Sequence, residues 1–487
     1  MAGDTGDRPT TSVVAMVPMA LLLCALSYAT DSQGAFYPGP FKVLVALVGA
    51  ALVGALAVGG SAAWAVRVLR DPLVVTALSL SIVTVVSSAV AGEPADAVGT
   101  VGLLLTMAAA VAVVRALPPE HRQLLVGGIV VIGVVVAAIG WAAVVGRWQP
   151  DALTGQGLWR AASTLTYENA LAAFLTAPAL LCLDRLMTAS ARRPWWSGAA
   201  CVLLVGIGAS LSRGGVLGLV IGLAVLGALR GPGRLLAAGP PVAGAVIALA
   251  GLAPSIPVDT SAHVALAAAG LVFGGVLAAW TNGSLRLRAA VAVVGVVALG
   301  VLVALVSTGH IAREIAGARL SAASTDRAHE WSAAFDVARH HLLLGVGTAR
   351  VLLQWEAGGQ LFTATFAHNE FLQLLVQDGL VGLVVLVVGL AWVFVRLARL
   401  RGAAGAWSAD CGIACLVALL VQSSLDFLWH IPVIPVLMAV VLATATTPAP
   451  RRDGPVDHDA PRMYASPAAT PAVPRAAGGG GHGTASL

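Results

Sequence analysis

The sequence reads Ala367-His368-Asn369-Glu370-Phe371-Leu372 near the end of its longest polar segment, residues 307–378, which interrupts an otherwise almost continuous series of apolar spans. Gly379-Leu380-Val381-Gly382-Leu383 then opens the next span. The polar segment also carries arginines at positions 313, 319, 327, 339 and 350. A cationic loop that brings a histidine to the mouth of a membrane helix predicts a site for an anionic, membrane-borne substrate.

The composition predicts an all-α polytopic membrane protein. The chain is 58% hydrophobic and 10% charged, with a mean hydropathy of +0.90, whereas soluble domains contain about 25% charged residues. A helix needs about 20 apolar residues to cross the hydrocarbon layer. This rule predicts about 14 spans, near residues 13–30, 43–66, 72–91, 98–115, 123–146, 168–187, 196–211, 215–229, 235–253, 263–280, 289–306, 379–396, 408–424 and 432–448.

The placement of the arginines predicts the orientation. If the N-terminus is cytoplasmic, every inner turn carries at least two arginines, as expected for cytoplasmic loops. We therefore expect a multi-pass protein of the cytoplasmic membrane, with a large extracytoplasmic loop that contains short helices. The predicted organisation is a cytoplasmic N-terminus (1–12), a transmembrane bundle (13–306), the extracytoplasmic loop (307–378), C-terminal transmembrane helices (379–448) and a disordered cytoplasmic tail (449–487).

Two classes of partner are disfavoured by the pattern of charges and cysteines. The arginines form short clusters between spans rather than one basic face, which argues against nucleic acid. All five cysteines lie inside apolar spans, with neither a disulfide framework nor the spacing of a Cys/His metal site. We expect no metal and no cofactor.

Three of the predicted outer connections contain arginine, namely residues 147–167, 212–215 and 307–378. In the second, Ser212-Arg213-Gly214-Gly215, the glycines allow a tight turn and close approach of a ligand to the backbone. A guanidinium is a planar fork that binds phosphate oxygens in pairs. Arg213 is therefore a candidate anion-binding residue; the alternative is an arginine that extends towards the lipid headgroups.

Arg327 is the second candidate cation. It lies in Ser324-Thr325-Asp326-Arg327-Ala328-His329-Glu330-Trp331, and Trp331, Phe335 and Val337–Ala338 give this stretch the apolar face of a helix that lies against the membrane surface. The alternative is a local ion pair with Asp326.

His368 and Asn369 stand directly before Phe371, Leu372, Leu374 and Leu375, which recur at helical spacing. Imidazole has an unperturbed pKa of about 6.5 and takes up protons near neutrality. A histidine at a helix start above the bilayer is a candidate base towards a hydroxyl group, with Asn369 as a neighbouring substrate contact. The alternative is a capping or interfacial role.

Four further residues are candidate substrate contacts in the outer connections. Arg160 adds a cation, whereas Asn169 is explained equally well as the cap of the following helix. Asp426 and His430 lie four residues apart, so one helix face would bring them together. They would form either a structural hydrogen bond or the floor of the site.

Several segments together resemble the core signature of the O-antigen ligase and O-antigen polymerase superfamily. They occur in the order and at the spacings of that family and cover the chain from about 150 to 445. The segments are Arg160 to Asn169; Ser212-Arg213-Gly214; Arg327 with Trp331; His341-Leu342-Leu343-Leu344-Gly345-Val346-Gly347; Ala367-His368-Asn369-Glu370-Phe371-Leu372-Gln373; Gln377-Asp378-Gly379-Leu380-Val381-Gly382; and Asp426-Phe427 with His430-Ile431-Pro432.

The resemblance implies a metal-independent membrane glycosyltransferase with a GT-C-like helical fold. Such enzymes transfer a glycan from a polyprenyl diphosphate to a hydroxyl of a lipid, glycan or protein acceptor. The residues that match the family's diphosphate-binding arginines are Arg213 and Arg327, and the residue that matches its base is His368. The resemblance implies an active site on the extracytoplasmic face.

Two groups of alternatives stay open at the level of sequence. Within the family, a polymerase or a protein O-glycosyltransferase would share the donor chemistry and differ in the acceptor. A transporter of a small anion or of a lipid-linked glycan would belong to another class. The cations lie at one outer face rather than at the midplane, and no pair of interrupted helices repeats, which disfavours transport.

Overall fold

The computed structural model describes residues 10–188, 193–280, 325–348, 351–357, 359–401 and 409–447. Helices dominate this part of the chain. They are α1 (Thr10–Asp31), α2 (Pro38–Gly59), α3 (Ala62–Leu69), α4 (Pro72–Val90), α5 (Ala97–Ala116), α6 (Pro119–Gly146), α7 (Glu168–Met187), α8 (Arg193–Ala209), α9 (Arg213–Arg230), α10 (Gly239–Leu252), α11 (Val264–Trp280), α12 (Thr325–His340), α13 (Glu370–Leu400), α14 (Ala409–Ser423) and α15 (Val433–Ala445).

Two short antiparallel hairpins accompany the helices. Strands β1 (Ala152–Gly155) and β2 (Leu158–Ala161) form the first, and β3 (Leu353–Ala357) and β4 (Gln360–Ala364) form the second. Both occur in connections that are predicted to lie outside the membrane. Short helices are predicted only in the second of these connections, residues 307–378, so both hairpins are an addition to the expected all-α fold.

The helices confirm an all-α polytopic membrane protein. Within the described residues, eight helical segments are long and apolar enough to cross a membrane. Four shorter apolar helices, residues 16–31, 264–280, 409–423 and 433–445, accompany them. The span predicted at 289–306, most of the N-terminal segment 1–12 and the tail 449–487 lie outside the described residues.

Two predicted spans have different boundaries in the structure. The stretch 43–66 is not one helix, because Gly60 is extended and separates α2 from α3, whose start is capped by Ser61. The span predicted at 379–396 begins nine residues earlier than its apolar run, at Glu370. Apolar content therefore marks where a helix crosses the membrane, whereas caps and glycines decide where the helix begins and ends.

Helix α13 contains a break at Gly379 that the Gly-Val-Gly loop, residues 341–347, fills. Gly379 has φ 67° and ψ −166°, a conformation that suits only glycine. The break would leave backbone groups without helical partners, but the Leu380 N–H donates to the Leu342 carbonyl over 2.7 Å. A side chain at Gly345 would overlap the backbone of α13. The Val346 and Gly347 N–H groups donate to the carbonyls of Val376 (2.9 Å) and Gln377 (3.0 Å).

Helix α7 lies at the centre of the bundle and is almost entirely buried. It packs against α6, α8, α9, α14 and α15. The arginines predicted at the inner turns pair with acidic side chains at helix ends, which reduces the cost of holding them near the apolar region. These pairs are Arg115–Asp71 (2.6 Å), Arg230–Asp184 (2.7 Å) and Arg401–Asp410 (2.8 Å).

Helix α12 packs through alanines rather than through its aromatic residues. Ala334 and Ala338 are buried against Ala367 and Val376 on the α13 side and against the β3 hairpin, whereas Phe335 is 61% exposed. Small residues bring the helix backbone close to α13. Helix α12 is therefore held against the start of α13, which is where the candidate base His368 lies.

Candidate active site

The start of α13 fixes the position of His368. Asn369 is the N-cap, and its side-chain oxygen accepts hydrogen bonds from the Phe371 and Leu372 N–H groups, both over 3.1 Å. His368 has a positive φ of 44°, which is uncommon for a residue with a side chain. The capping role accounts for Asn369, and the predicted substrate contact by this residue stays a prediction.

His368 pairs with a glutamate that sequence reasoning did not select. Its Nδ1 lies 2.9 Å from Glu330 Oε2, and both side chains are mostly buried. Glu330 follows Arg327 by three residues on α12, so one turn of helix places both on neighbouring positions of one face. In the sequence, Glu330 could have been found from its three-residue spacing to Arg327 together with the need of the candidate base His368 for a partner.

An aromatic stack lies against the imidazole of His368. Phe427 lies edge-on to the His368 ring, with centroids 5.0 Å apart. The Phe427 ring stacks between Phe366 (4.8 Å) and Tyr167 (5.3 Å). The Phe427 ring therefore forms an apolar wall on one side of the imidazole.

Asp426 joins the start of α7 to the connection after α14. Its Oδ2 accepts a hydrogen bond from the Tyr167 hydroxyl over 2.5 Å and another from Asn169 Nδ2. Burial raises the pKa of Tyr167 well above its ordinary value, and the neighbouring Asp426 charge raises it further. The predicted cap at Asn169 is wrong, because Tyr167 occupies the N-cap position and the Asn169 side chain turns to Asp426 instead.

Arg160 is held by the elements around it. Its guanidinium forms an ion pair with Glu168, and its Nε donates to the Ser210 carbonyl over 3.3 Å. Burial lowers the pKa of Arg160, and the positive charge of Arg213 lowers it further. The two guanidinium groups are therefore within electrostatic range of each other, and Glu168 neutralises one of them.

Arg213 is the first residue of α9 and is exposed. The predicted glycine turn is wrong in its detail, because the backbone reverses at Leu211, which has φ 52°. The Ser212 hydroxyl caps the helix by accepting the Gly215 N–H over 3.1 Å. Gly215 instead allows close packing, since a side chain there would overlap Ala172 of α7. A helix N-terminus adds to the positive potential at Arg213.

His430 forms a second histidine–carboxylate pair. Its Nδ1 lies 3.3 Å from Glu370 Oε2, close enough for an ion pair but misaligned for a hydrogen bond. The predicted helix face that joins Asp426 to His430 is wrong, because α14 ends at Ser423 and the two side chains turn to different partners. The His430 ring lies 4.7 Å from Phe366, which connects it to the aromatic group around His368.

Contacts connect several of the predicted site residues, and Arg213 and Arg327 adjoin them through neighbours in the chain. Gly214, next to Arg213, approaches Leu425, and Asp426 follows directly. From there the contacts run through Phe427 to His368 and Glu330, on the helix that carries Arg327. Among the residues that the structure describes, neither Arg213 nor Arg327 forms a hydrogen bond or ion pair, which leaves both guanidinium groups available to an anion.

Each of the two histidines of the site pairs with one carboxylate. In the described part of the chain, no three His, Cys, Asp or Glu side chains are grouped closely enough to hold a metal ion. The side chains in contact with His368 are the Glu330 carboxylate and the Phe427 ring. This arrangement suits proton transfer at the imidazole.

Part of this region is similar to a known protein family. Residues 258–387 match the family described as O-antigen ligase, and no curated protein matches the chain. The matched region contains Arg327, Glu330, His368 and the helix break at Gly379. It confirms the resemblance that the sequence motifs indicate. This match supports the similarity of the chain to the O-antigen ligase superfamily of membrane enzymes of the ligase and polymerase type.

Proposed function

We propose that this protein is a glycosyltransferase that moves a glycan from a polyprenyl-diphosphate donor to an acceptor hydroxyl on the extracytoplasmic side of the cytoplasmic membrane. The observation that carries this proposal is the pair between His368 and Glu330 on the helix of Arg327, inside the family-matched region. An oriented base beside an unpaired cation is what transfer from a diphosphate to a hydroxyl requires.

The carboxylate of Glu330 assigns the proton positions on the imidazole. A carboxylate accepts a hydrogen bond, so His368 Nδ1 carries the proton and Nε2 has the free lone pair. Nε2 then accepts the proton of the acceptor hydroxyl. The imidazolium that forms lies next to the carboxylate of Glu330, which holds the ring in place during the transfer.

The two unpaired arginines supply the other half of the chemistry. The acceptor oxygen attacks the anomeric carbon, and the bond from that carbon to the diphosphate oxygen breaks. The electron pair leaves with the diphosphate, and the hydroxyl proton goes to His368. Because negative charge grows on the diphosphate as this bond breaks, Arg213 and Arg327 stabilise the transition state more than the bound substrate.

The remaining candidates support this arrangement in different ways. Arg160 is neutralised by Glu168, so it adds to the positive surface less than Arg213 does. Asp426 and Asn169 hold the start of α7 against the Phe427 ring that contacts His368. We propose that these residues, with His430 and Asn369, shape the pocket around the substrates.

The test is transfer by the purified protein in lipid vesicles with a polyprenyl-diphosphate glycan and candidate acceptors. We expect Arg213→Ala, Arg327→Ala and His368→Ala to lose nearly all transfer while they remain folded. Arg399→Ala is the matched control, because Arg399 is exposed at the opposite end of α13. Near-normal transfer by either site-arginine variant would contradict the proposal, and glycan flux without bond exchange would favour the transporter.

The same vesicles identify the acceptor and test the proposed independence from metals. A second lipid-linked glycan as acceptor indicates a polymerase, whereas a lipid or protein acceptor indicates a ligase or a protein O-glycosyltransferase. We expect transfer to persist after treatment with a chelator. Loss of transfer on chelation, with recovery on adding a divalent cation, would contradict the metal-independent mechanism.

A further inference from the structure

A groove of about 460 Å³ lies between α12 and the β3 strand, separate from the His368 pair. Its volume falls in the range of small-molecule sites, about 300–1,000 Å³. Its lining combines polar side chains with aromatic rings. The side chains that decide its chemistry are His329, Ser332, Asp336, Arg339, Gln354 and Trp355.

Helix α12 serves two regions of the molecule with two different faces. Glu330 pairs with His368 and Arg327 precedes Glu330 by three residues, whereas His329, Ser332 and Asp336 follow the spacing of a neighbouring face. The groove runs along α12 from position 329 to position 339, which corresponds to about 15 Å of helix. It therefore begins beside the proposed active site and leads away from it.

The lining distinguishes among the possible classes of ligand. The Asp336 and Arg339 side chains pair over 2.5 Å, so the groove holds little net charge for a diphosphate. The polar side chains along the groove also make it unsuitable for an acyl chain, which would bury them without hydrogen-bond partners. The Trp355 ring is half-buried and is held by stacking on Phe362, with centroids 5.8 Å apart.

A sugar ring has an apolar C–H face and hydroxyl groups around its edge. The Trp355 ring offers a flat apolar surface, and Gln354, Ser332, Asp336 and Arg339 offer both hydrogen-bond donors and acceptors. The groove thus matches both parts of a sugar ring, and its length accommodates several sugar units in a row.

We propose that the groove between α12 and β3 binds the carbohydrate chain of a substrate, beyond the sugar unit that carries the reacting carbon. This inference rests on the proposed glycosyltransferase function. It adds that the enzyme recognises the length of a glycan as well as its reacting end. Trp355 is the main contact, with Gln354 and Ser332 as hydrogen-bonding partners.

The test compares donors of graded length in the vesicle assay. The probes are polyprenyl-diphosphate-linked glycans of one, two and four sugar units, prepared from the producing organism's own lipid-linked glycans. We expect Trp355→Ala to raise KM for the longest donor about 10-fold and to leave transfer of the single sugar unchanged. Trp355→Phe keeps a stacking ring and should recover most of the loss. Leu361→Ala, at an exposed position of β4, is the matched control.

A second measurement identifies which substrate carries the bound glycan. Hydrogen–deuterium exchange of the folded protein in nanodiscs follows peptides from 329–339 and 353–364 while glycan released from the cell surface by mild acid is added. Protection of both peptides in the wild type, absent in Trp355→Ala, supports the groove. A changed donor KM assigns the groove to the donor glycan, and a changed acceptor KM assigns it to the acceptor glycan.

The outcomes separate this inference from the function on which it rests. If the wild type transfers glycan while Trp355→Ala shows the same dependence of KM on donor length and the same hydrogen–deuterium exchange, the proposed glycan-binding role of the groove is wrong and the proposed function stands. If no donor of any length is transferred, the proposed function fails. Protection of the groove by free glycan in that case would support carbohydrate binding alone.

Discussion

Replacement of Glu330 by glutamine tests whether the carboxylate holds His368 for proton transfer. Glutamine keeps the size of the side chain and removes its charge, and it disturbs the 2.9 Å pair between His368 Nδ1 and Glu330 Oε2. Hydrogen bonds to charged groups contribute about 1.5–3 kcal/mol. Since a rate falls about tenfold for each ~1.4 kcal/mol added to the barrier, we expect kcat to fall about 10- to 150-fold.

The assay is the transfer rate of purified protein in lipid vesicles at saturating donor and acceptor, measured by mass spectrometry of the product. Because Glu330 acts through His368, the E330Q/H368A double variant should be no slower than H368A. The control is E356Q, at an exposed glutamate of β3, which should keep the wild-type rate. An E330Q variant with unchanged kcat and an unchanged pH profile, beside an inactive H368A variant, would refute the assignment.

Three further predictions concern the scaffold of the site. Asp426→Asn removes the charge of the group that accepts hydrogen bonds from Tyr167 and Asn169. We expect the free energy of unfolding to fall by about 1–3 kcal/mol, measured by thermal unfolding, and kcat for transfer to fall as well. Unchanged values of both would contradict the structural role of Asp426. Gly379→Ala forces alanine into a positive φ, at a cost of about 1–2 kcal/mol, and its side chain overlaps the 341–347 loop. We therefore expect a lower unfolding temperature, and an unfolding temperature equal to that of the wild type would be inconsistent with the helix break at Gly379. Asn369→Ala removes a helix cap that contributes about 1 kcal/mol. We expect the free energy of unfolding, measured by denaturation, to fall by the same amount.

The membrane helices could be predicted because apolar composition and length act locally. Each predicted span within the described residues falls on helical segments, including the Gly- and Pro-rich stretch at 235–253, where α10 forms, and 43–66, which is divided between α2 and α3. The boundaries were less predictable. Gly60 and Glu370 shift them, since a cap or a glycine affects only a few residues and does not alter the average hydropathy.

The partners of the site residues could not be predicted, because they come from distant parts of the chain. Sequence spacing suggested that Asp426 pairs with His430, yet α14 ends too early and each turns to a residue far away in sequence. The same holds for His368, whose partner Glu330 lies 38 residues earlier. Side-chain pairing depends on where helices end and which loops they carry, and the tertiary structure alone sets both.

The sequence by itself determined the membrane class, the positions of the spans, the arginines and histidine of the candidate site, and the resemblance to the O-antigen ligase family. These features are local, since each depends on hydrophobicity or on residues close together in the chain. The tertiary structure decided that Glu330 orients His368, that Glu168 neutralises Arg160, and that the 341–347 loop fills the break at Gly379. Each of these outcomes requires backbone segments that are distant in sequence to meet at distances of hydrogen bonds and ion pairs.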